Sequence, residues 1–125
     1  MSHFTTIKTQ IKDIAALRSA CTELGLPLLQ NASARGYAGE VRPGEFVIKL
    51  AGPYDIAVNQ QPDQTFGLTT DWWNGHVEKE VGKEYSRLLQ LYAVHKAGIE
   101  AHKKGFSIMR RQQQDGSIKL ILIGG

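Results

Sequence analysis

The chain has 125 residues, of which 42% are hydrophobic and 22% are charged. These values predict one globular domain over residues 1–125 and exclude a disordered chain. The single cysteine excludes an internal disulfide framework and any metal site built from several thiolates. A formal net charge of +3 predicts a weakly basic surface.

The N-terminus, MSHFTTIK, has neither the apolar run of a secretory signal nor the arginines of a transit peptide. No segment approaches the roughly 18 apolar residues that a membrane helix needs. We therefore expect a soluble protein of the cytoplasm or of a plastid stroma, with no membrane contact.

The first elements are a strand and a helix. Residues 3–10 are rich in Thr and Ile and predict a strand. A helix is predicted from the N-cap Asp13 to Gly25, and its apolar residues recur at helical spacing at Ile14, Leu17, Cys21 and Leu24. Cys21 is thus expected in the core rather than as a nucleophile.

Residues 28–45 look irregular, with short strands predicted at Leu28-Leu29 and over 37–41. The next segments alternate apolar and polar residues and predict three strands of a meander. Their shared apolar face is formed by Phe46, Ile48, Leu50, Tyr54, Ile56, Val58, Phe66 and Leu68.

A long helical pattern covers about residues 75–104, with Gly105 placed to end it. Gly82 lies inside this pattern, where glycine costs roughly 1 kcal/mol relative to alanine. A break near Gly82 is therefore one expected departure from a single helix.

The chain ends in a predicted hairpin of residues 106–112 and 118–123. Asp115-Gly116 is typical of a two-residue type I′ turn, which pairs Arg111 with Leu120. The last strand is apolar on both faces, so it is expected to be an interior strand. A monomer with two helices leaves one face uncovered, which points to a partner chain and to a homo-oligomer.

These elements define an α+β fold: an antiparallel sheet of about six or seven strands, two helices mainly on one face, and a C-terminal β-hairpin. A ferredoxin-like arrangement is one strand order compatible with this pattern.

Several short segments resemble one family over nearly the whole chain. They are the opening nonapeptide MSHFTTIKT, Arg35-Gly36-Tyr37, Tyr54-Asp55-Ile56, Tyr92-Ala93-Val94-His95, Gly105-Phe106 and Asp115-Gly116-Ser117-Ile118. In this order they resemble the cyanobacterial and plastid family of the thirty-fifth hypothetical chloroplast reading frame, a domain of unknown function. The resemblance implies a cyanobacterial, plastid or related bacterial or phage setting, and it implies no reaction.

Candidate site residues fall into two groups. Tyr92 and His95 share one stripe of the long helix, where burial can tune an acid–base pair; a core histidine with an ordinary hydrogen bond is the simpler interpretation. The candidate binding residues are Lys103, Lys104, Arg110 and Arg111, which the turn at Gly105 can bring together. Arg35 and Tyr37 are two further candidates. No His-x-x-x-His or Cys-x-x-Cys spacing occurs, so neither a metal site nor a cofactor is predicted.

Three functions follow as hypotheses. The first is a small non-catalytic accessory, regulatory or assembly protein that acts by binding a protein partner, and an enzyme is the less expected class. The alternative is an anion- or nucleic-acid-binding module that uses the basic cluster of residues 103–111. A second alternative is a small enzyme that uses Tyr92 and His95.

Overall fold

The structure, a computed structural model, describes residues 3–124. Met1 and Ser2 of the opening nonapeptide, and the terminal Gly125, lie outside the described residues. The elements are, in order, β1 (Phe4–Lys8), α1 (Ile14–Glu23), β2 (Leu28–Arg35), β3 (Val41–Ile48), β4 (Ile56–Gln60), β5 (Phe66–Asp71), α2 (Glu78–Val81), α3 (Ser86–Lys103), β6 (Ser107–Gln112) and β7 (Ile118–Ile123).

Seven strands form two separate sheets. The larger sheet has the order β1-β5-β4-β3-β2, and every neighbouring pair in it is antiparallel. Strands β2 to β5 form a continuous meander, and β1 adds to its far edge beside β5. The α+β class is confirmed, but the element order differs from the β-α-β-β-α-β order of a ferredoxin-like fold.

The main core lies between one face of the large sheet and the helices α1 and α3. Leu17 of α1 and Leu88 of α3 are fully buried against the predicted apolar face of the meander, which Val58 and Leu68 represent. On the other face a smaller cluster joins Val47 and Ala57 to Ala34 of β2. No helix within residues 3–124 is long and apolar enough to cross a membrane.

Helix α1 forms as its local sequence predicts. The Asp13 carboxylate accepts a hydrogen bond from the backbone N–H of Ala16 at 3.1 Å, which is the expected N-cap contact. Gly25 adopts a positive φ of 75° just after the helix. Cys21 is fully buried, as expected, and burial raises the pKa of its thiol to about 12.

The expectation of an irregular segment over residues 28–45 is wrong. Residues 28–35 form the eight-residue strand β2, residues 37–39 form a 3-10 turn, and β3 already begins at Val41. Strand β2 is a sheet edge in which half of the residues are exposed and only one is buried, so it lacks the apolar alternation that marks a half-buried strand. Pairing with β3 satisfies its backbone instead.

The long helical pattern is broken where glycine allowed it. Gly82 has φ 85°, and Glu84 and Tyr85 also have positive φ values. The segment is therefore divided into the four-residue α2, a 3-10 turn and the eighteen-residue α3. Gly105 ends α3 at φ 82°, as predicted.

The C-terminal hairpin forms, but its predicted register is wrong by one residue. Arg110, not Arg111, lies opposite Leu120, and Arg111 lies opposite Lys119. The turn holds three residues: the N–H of Gln113 donates to the carbonyl of Ser117 at 2.8 Å, and the N–H of Gly116 donates back to Gln113 at 3.2 Å. Gly116 at φ 88° supplies the left-handed residue of this bulged turn.

Strand β7 is not the interior strand that its composition predicted. It pairs with β6 alone, in a two-stranded sheet apart from the main one. Being apolar on both faces, it leaves Leu120, Leu122 and Ile123 exposed to solvent.

Candidate functional site

The hairpin of β6 and β7 rests on α3 through one of its faces. Strand β6 is the strand that packs on α3, and Ile108 lines a groove there together with Val94 and Ile99. At the turn end, the side-chain amide of Gln90 on α3 donates to the carbonyl of Gly116 at 3.0 Å. Helix α3 thus fixes the position of the hairpin, while most of the surface of the hairpin stays in contact with solvent.

A carboxylate at the end of α1 joins this hairpin to both helices. Glu23 contacts Nε2 of His95 through Oε1 at 2.8 Å, and it accepts a hydrogen bond from Nη2 of Arg110 through Oε2 at 2.9 Å. The hydrogen bond from Arg110 is the main reason that the pKa of Glu23 lies below its ordinary value. Glu23 therefore joins His95 of α3 to Arg110 of β6 in one hydrogen-bonded network.

Two open clefts of about 580 Å³ each lie on either side of Arg110. One is lined by both polar and apolar side chains, among them Arg87 and Leu91, and the other mainly by Val94, Ile99 and Ile108. Among residues 3–124, no group of three or more His, Cys, Asp or Glu side chains is arranged to hold a metal ion.

Exposed apolar side chains are concentrated on the hairpin and on the residue that leads into it. Leu122 is 64% exposed, Met109 47%, Ile123 44% and Leu120 37%, and Phe106 precedes β6 at 38%. Leu120 and Leu122 share the face that carries Arg110, whereas Met109 and Ile123 lie on the opposite, outer face. Apolar surface of this extent on both faces of one hairpin is typical of an interaction site.

The predicted basic cluster is divided by the structure. Arg110 and Arg111 are consecutive strand residues, so their side chains lie on opposite faces of the hairpin. Arg110 is paired with Glu23, and Nζ of Lys103 lies 3.6 Å from Oε1 of Glu100. Lys104 and Arg111 are exposed and form no ion pair with any described residue.

Arg35 has a structural role in the fold. Its Nε and Nη2 atoms each donate to the fully buried carboxylate of Asp55 at 2.8 Å, and Nη2 also donates to the carbonyl of Gly52 at 2.8 Å. The same carboxylate accepts the N–H groups of Arg35 and Leu50. Burial acts to raise the pKa of Asp55, but these hydrogen bonds outweigh it and hold the pKa below its ordinary value.

Tyr37 belongs to an exposed aromatic cluster at the end of the large sheet. Its ring lies edge-on to the rings of His3 and Trp73, with centroids 4.8 Å and 5.8 Å away. The buried carboxylate of Asp71 holds this arrangement because it accepts the backbone N–H groups of both Tyr37 and Trp73 at 2.9 Å. Asp71 therefore organises this loop.

Tyr92 and His95 make separate contacts although they share a stripe of α3. The buried Tyr92 hydroxyl accepts hydrogen bonds from the N–H groups of Lys12 and Asp13 at 3.1 and 3.2 Å, which anchors the start of α1. His95 lies against Glu23, in the network described above.

The sequence analysis did not identify Glu23, Met109 or Lys119 as site residues. The doubly apolar composition of β7 was the available signal for the exposed surface around Met109. Recognising Lys119 as a site residue requires the observed register of the hairpin. Recognising Glu23 requires the packing of α1 beside the hairpin, which no local sequence pattern encodes.

Comparisons with known proteins place the chain in a family. Residues 20–121 match the model of a family described as "protein of unknown function (DUF1257)". The chain belongs to this family. Its matched segment includes the Arg35–Asp55 pair, all of α3 and most of the hairpin.

A relative supports the same assignment over almost the full length. The "uncharacterized protein ycf35" of Pyropia yezoensis is 32% identical over 135 residues, covering 98% of this chain and 96% of the relative. This confirms the resemblance to the family of the thirty-fifth hypothetical chloroplast reading frame. No solved structure matches the chain.

Proposed function

We propose that this protein is a small non-catalytic accessory protein that acts by binding another protein, with the β6–β7 hairpin as its docking element. The observation that carries the proposal is the apolar surface on both faces of a hairpin that stands outside the main sheet. Such surfaces on soluble domains are usually covered by partners.

The two catalytic candidates support a binding role more than an enzymatic one. The Tyr92 hydroxyl already accepts two backbone N–H groups, and His95 contacts Glu23 rather than Tyr92. Their positions are accounted for by the packing of α1 and the hairpin against α3. An enzyme built on Tyr92 and His95 needs both side chains at one cleft, whereas His95 lines the cleft beside Val94 and Ile99 and Tyr92 does not.

The anion- or nucleic-acid-binding alternative keeps one favourable observation. Lys104, which follows α3, and Arg111 and Lys119 of the hairpin are exposed and form no ion pair among residues 3–124. This alternative predicts retention on heparin or RNA with a steep salt dependence. Alanine at these three positions should abolish that retention.

The family membership supports a photosynthetic setting, in a cyanobacterial cytoplasm or a plastid stroma. An assembly or regulatory role there fits a small chain whose most distinctive surface is a docking element. A second copy of the chain could instead bind the same surface and form a homo-oligomer, which the experiments below test.

Site-specific photo-crosslinking tests the proposal. A benzoylphenylalanine is placed at Met109 on the hairpin or, as the control, at Leu29 on the far edge of the large sheet, where the residue is similarly exposed. In a cyanobacterial extract, we expect discrete adducts with one or few proteins from position 109, and their loss when Leu122→Asp is added. Equal adducts from both positions, or none from position 109, would refute the docking role.

A further inference from the structure

We propose that the free edge of β7 binds an extended acidic segment of a partner protein, which adds to the hairpin as a third strand. This inference rests on the proposed function, because it specifies how the partner docks and which chemistry it carries. Strand addition of this kind uses backbone hydrogen bonds for affinity and side chains for specificity.

The backbone geometry shows which groups are available at this edge. The hydrogen bond from Gln113 to Ser117 makes that pair a hydrogen-bonded one, and such pairs alternate along an antiparallel ladder. The backbone groups of Lys119, Ile121 and Ile123 therefore face β6. Those of Ile118, Leu120 and Leu122 point outward, where no strand among residues 3–124 pairs with them.

The edge of β7 also lacks the features that normally block strand addition. Edge strands are commonly protected by charged residues, prolines, bulges or a covering element. Strand β7, with the sequence IKLILI, has a single charge, at Lys119. Strand β6 carries Arg110 and Arg111 and packs on α3, so its edge is the less accessible of the two.

The charge pattern indicates an acidic partner. Arg111 and Lys119 lie directly opposite each other on the outer face of the hairpin, an arrangement of like charges that destabilises a strand pair. Neither forms an ion pair within the described chain. An acidic side chain on an added strand, next to Lys119 on the outer face, offsets this repulsion.

The same observations disfavour two other occupants. A second copy of the chain would bring the same unpaired cations to the interface and no additional acid. An anionic membrane would attract the cations, but the unpaired backbone groups of β7 would be costly to bury in lipid. A partner strand satisfies both the charges and the backbone groups.

The test is fluorescence anisotropy with two labelled peptides that have strand-forming sequences and opposite charge. The acidic probe is acetyl-Thr-Val-Glu-Val-Glu-Val-Glu-Thr-amide, and the control carries lysine in place of every glutamate. We expect saturable binding of the acidic peptide that weakens as salt rises, and binding of the lysine peptide at least about tenfold weaker.

Matched variants separate backbone pairing from side-chain packing. Leu120→Pro removes an outward N–H without removing a hydrogen bond to β6, whereas Leu120→Ala shortens the side chain and keeps the N–H. We expect the proline variant to bind the acidic peptide at least about tenfold more weakly than the alanine variant. Urea unfolding verifies that both variants are folded, and Leu122→Pro replaces Leu120→Pro if the latter is not.

A second pair of variants tests the charge. Arg111→Glu with Lys119→Glu should abolish binding of the acidic peptide and permit binding of the lysine peptide. Lys79→Glu with Lys83→Glu, which changes the net charge equally at exposed sites near α2, should leave the preference for the acidic peptide intact.

Four outcomes would overturn the inference: no saturable binding of the acidic peptide, equal binding by the Leu120→Pro and Leu120→Ala variants, self-association that Leu120→Pro abolishes, or binding confined to phosphatidylglycerol vesicles. If the peptide does not bind while cross-linking from position 109 persists, the docking role stands and strand addition is wrong. If cross-linking is also absent, the proposed function itself fails.

Discussion

Replacing Asp55 with alanine removes the acceptor of four hydrogen bonds in the loop that leads into β4. Two come from the guanidinium of Arg35 and two from the backbone N–H groups of Arg35 and Leu50. The carboxylate is fully buried, while the Arg35 side chain is 41% exposed. The two kinds of donor are therefore affected differently.

The magnitude follows from that difference in exposure. A guanidinium at the surface can be rehydrated, so the loss of its ion pair costs little. A buried backbone N–H that loses its acceptor costs about 1–3 kcal/mol, which gives about 2–6 kcal/mol for the two groups. A change of this size is a large fraction of the stability of a small domain.

Urea unfolding at pH 7 measures the change in the free energy of unfolding. The m value, which is the slope of that free energy against urea concentration, should be the same for the wild type and the variant. Asp115→Ala is the matched control, because the two hydrogen bonds that its carboxylate accepts, from the N–H and the hydroxyl of Ser117, are exposed to solvent, and it should lose far less stability. A loss below about 1 kcal/mol for Asp55→Ala would refute the reasoning that the backbone donors depend on this carboxylate.

The same contact predicts a pH dependence. Since the pKa of Asp55 is depressed in the folded state, the carboxylate stabilises the protein above its unfolded pKa of about 3.9. This contribution is lost as the pH falls through the lower folded value. The difference in unfolding free energy between the wild type and Asp55→Ala should therefore shrink as the pH is lowered below about 4.

Three further predictions test other parts of the structure. Tyr92→Phe should cost about 1–2 kcal/mol in thermal unfolding, because two N–H groups before α1 lose their acceptor; an unchanged midpoint would contradict that role. Gly82→Ala should lower the free energy of unfolding, because φ is 85° and the new Cβ would lie 2.7 Å from the backbone N of Arg87. Gly98→Ala, whose new Cβ meets nothing within 4 Å, should instead stabilise the protein by up to about 1 kcal/mol. Equal effects of the two substitutions would be inconsistent with the break at residue 82. Cys21, whose thiol pKa is raised to about 12, should react with Ellman's reagent at pH 8 only as fast as the protein unfolds, and rapid labelling of the native protein would contradict its burial.

Parts of the fold followed from local sequence because their causes are local. The N-cap at Asp13 and the stop at Gly25 involve only backbone and side chains of the same helix. Strands β3, β4 and β5 of the meander followed from alternation, since one face of each had to be buried. The resemblance to the family followed from short segments whose order along the chain needs no structure.

The sequence suggested the wrong outcome where competing local choices were close in energy. A two-residue turn and a three-residue bulged turn both suit Asp115-Gly116, and they differ by one residue in register. The structure has the three-residue turn, in which the Asp115 carboxylate accepts hydrogen bonds from the N–H and hydroxyl of Ser117. This shift places Arg111 opposite Lys119 and so determines the charge pattern of the outer face.

The pairing of Arg35 with Asp55 shows what a linear pattern cannot contain. Both residues lie in segments that carried the family resemblance, yet they are twenty positions apart and meet only because the end of β2 lies beside the start of β4. In the same way, Glu23 reaches His95 and Arg110 only after α1 and α3 have packed on the sheet.

The sequence by itself determined the α+β class, both ends of α1, the C-terminal end of α3 and the apolar character of both faces of β7. Only the tertiary structure decided that β7 stands outside the main sheet. Whether its apolar residues are covered by this chain depends on which strand of the hairpin packs against the helices. Here β6 packs on α3, whereas β7 pairs with β6 alone. The apolar composition of β7 indicated that this strand needs cover, whereas its free edge results from the packing of the chain.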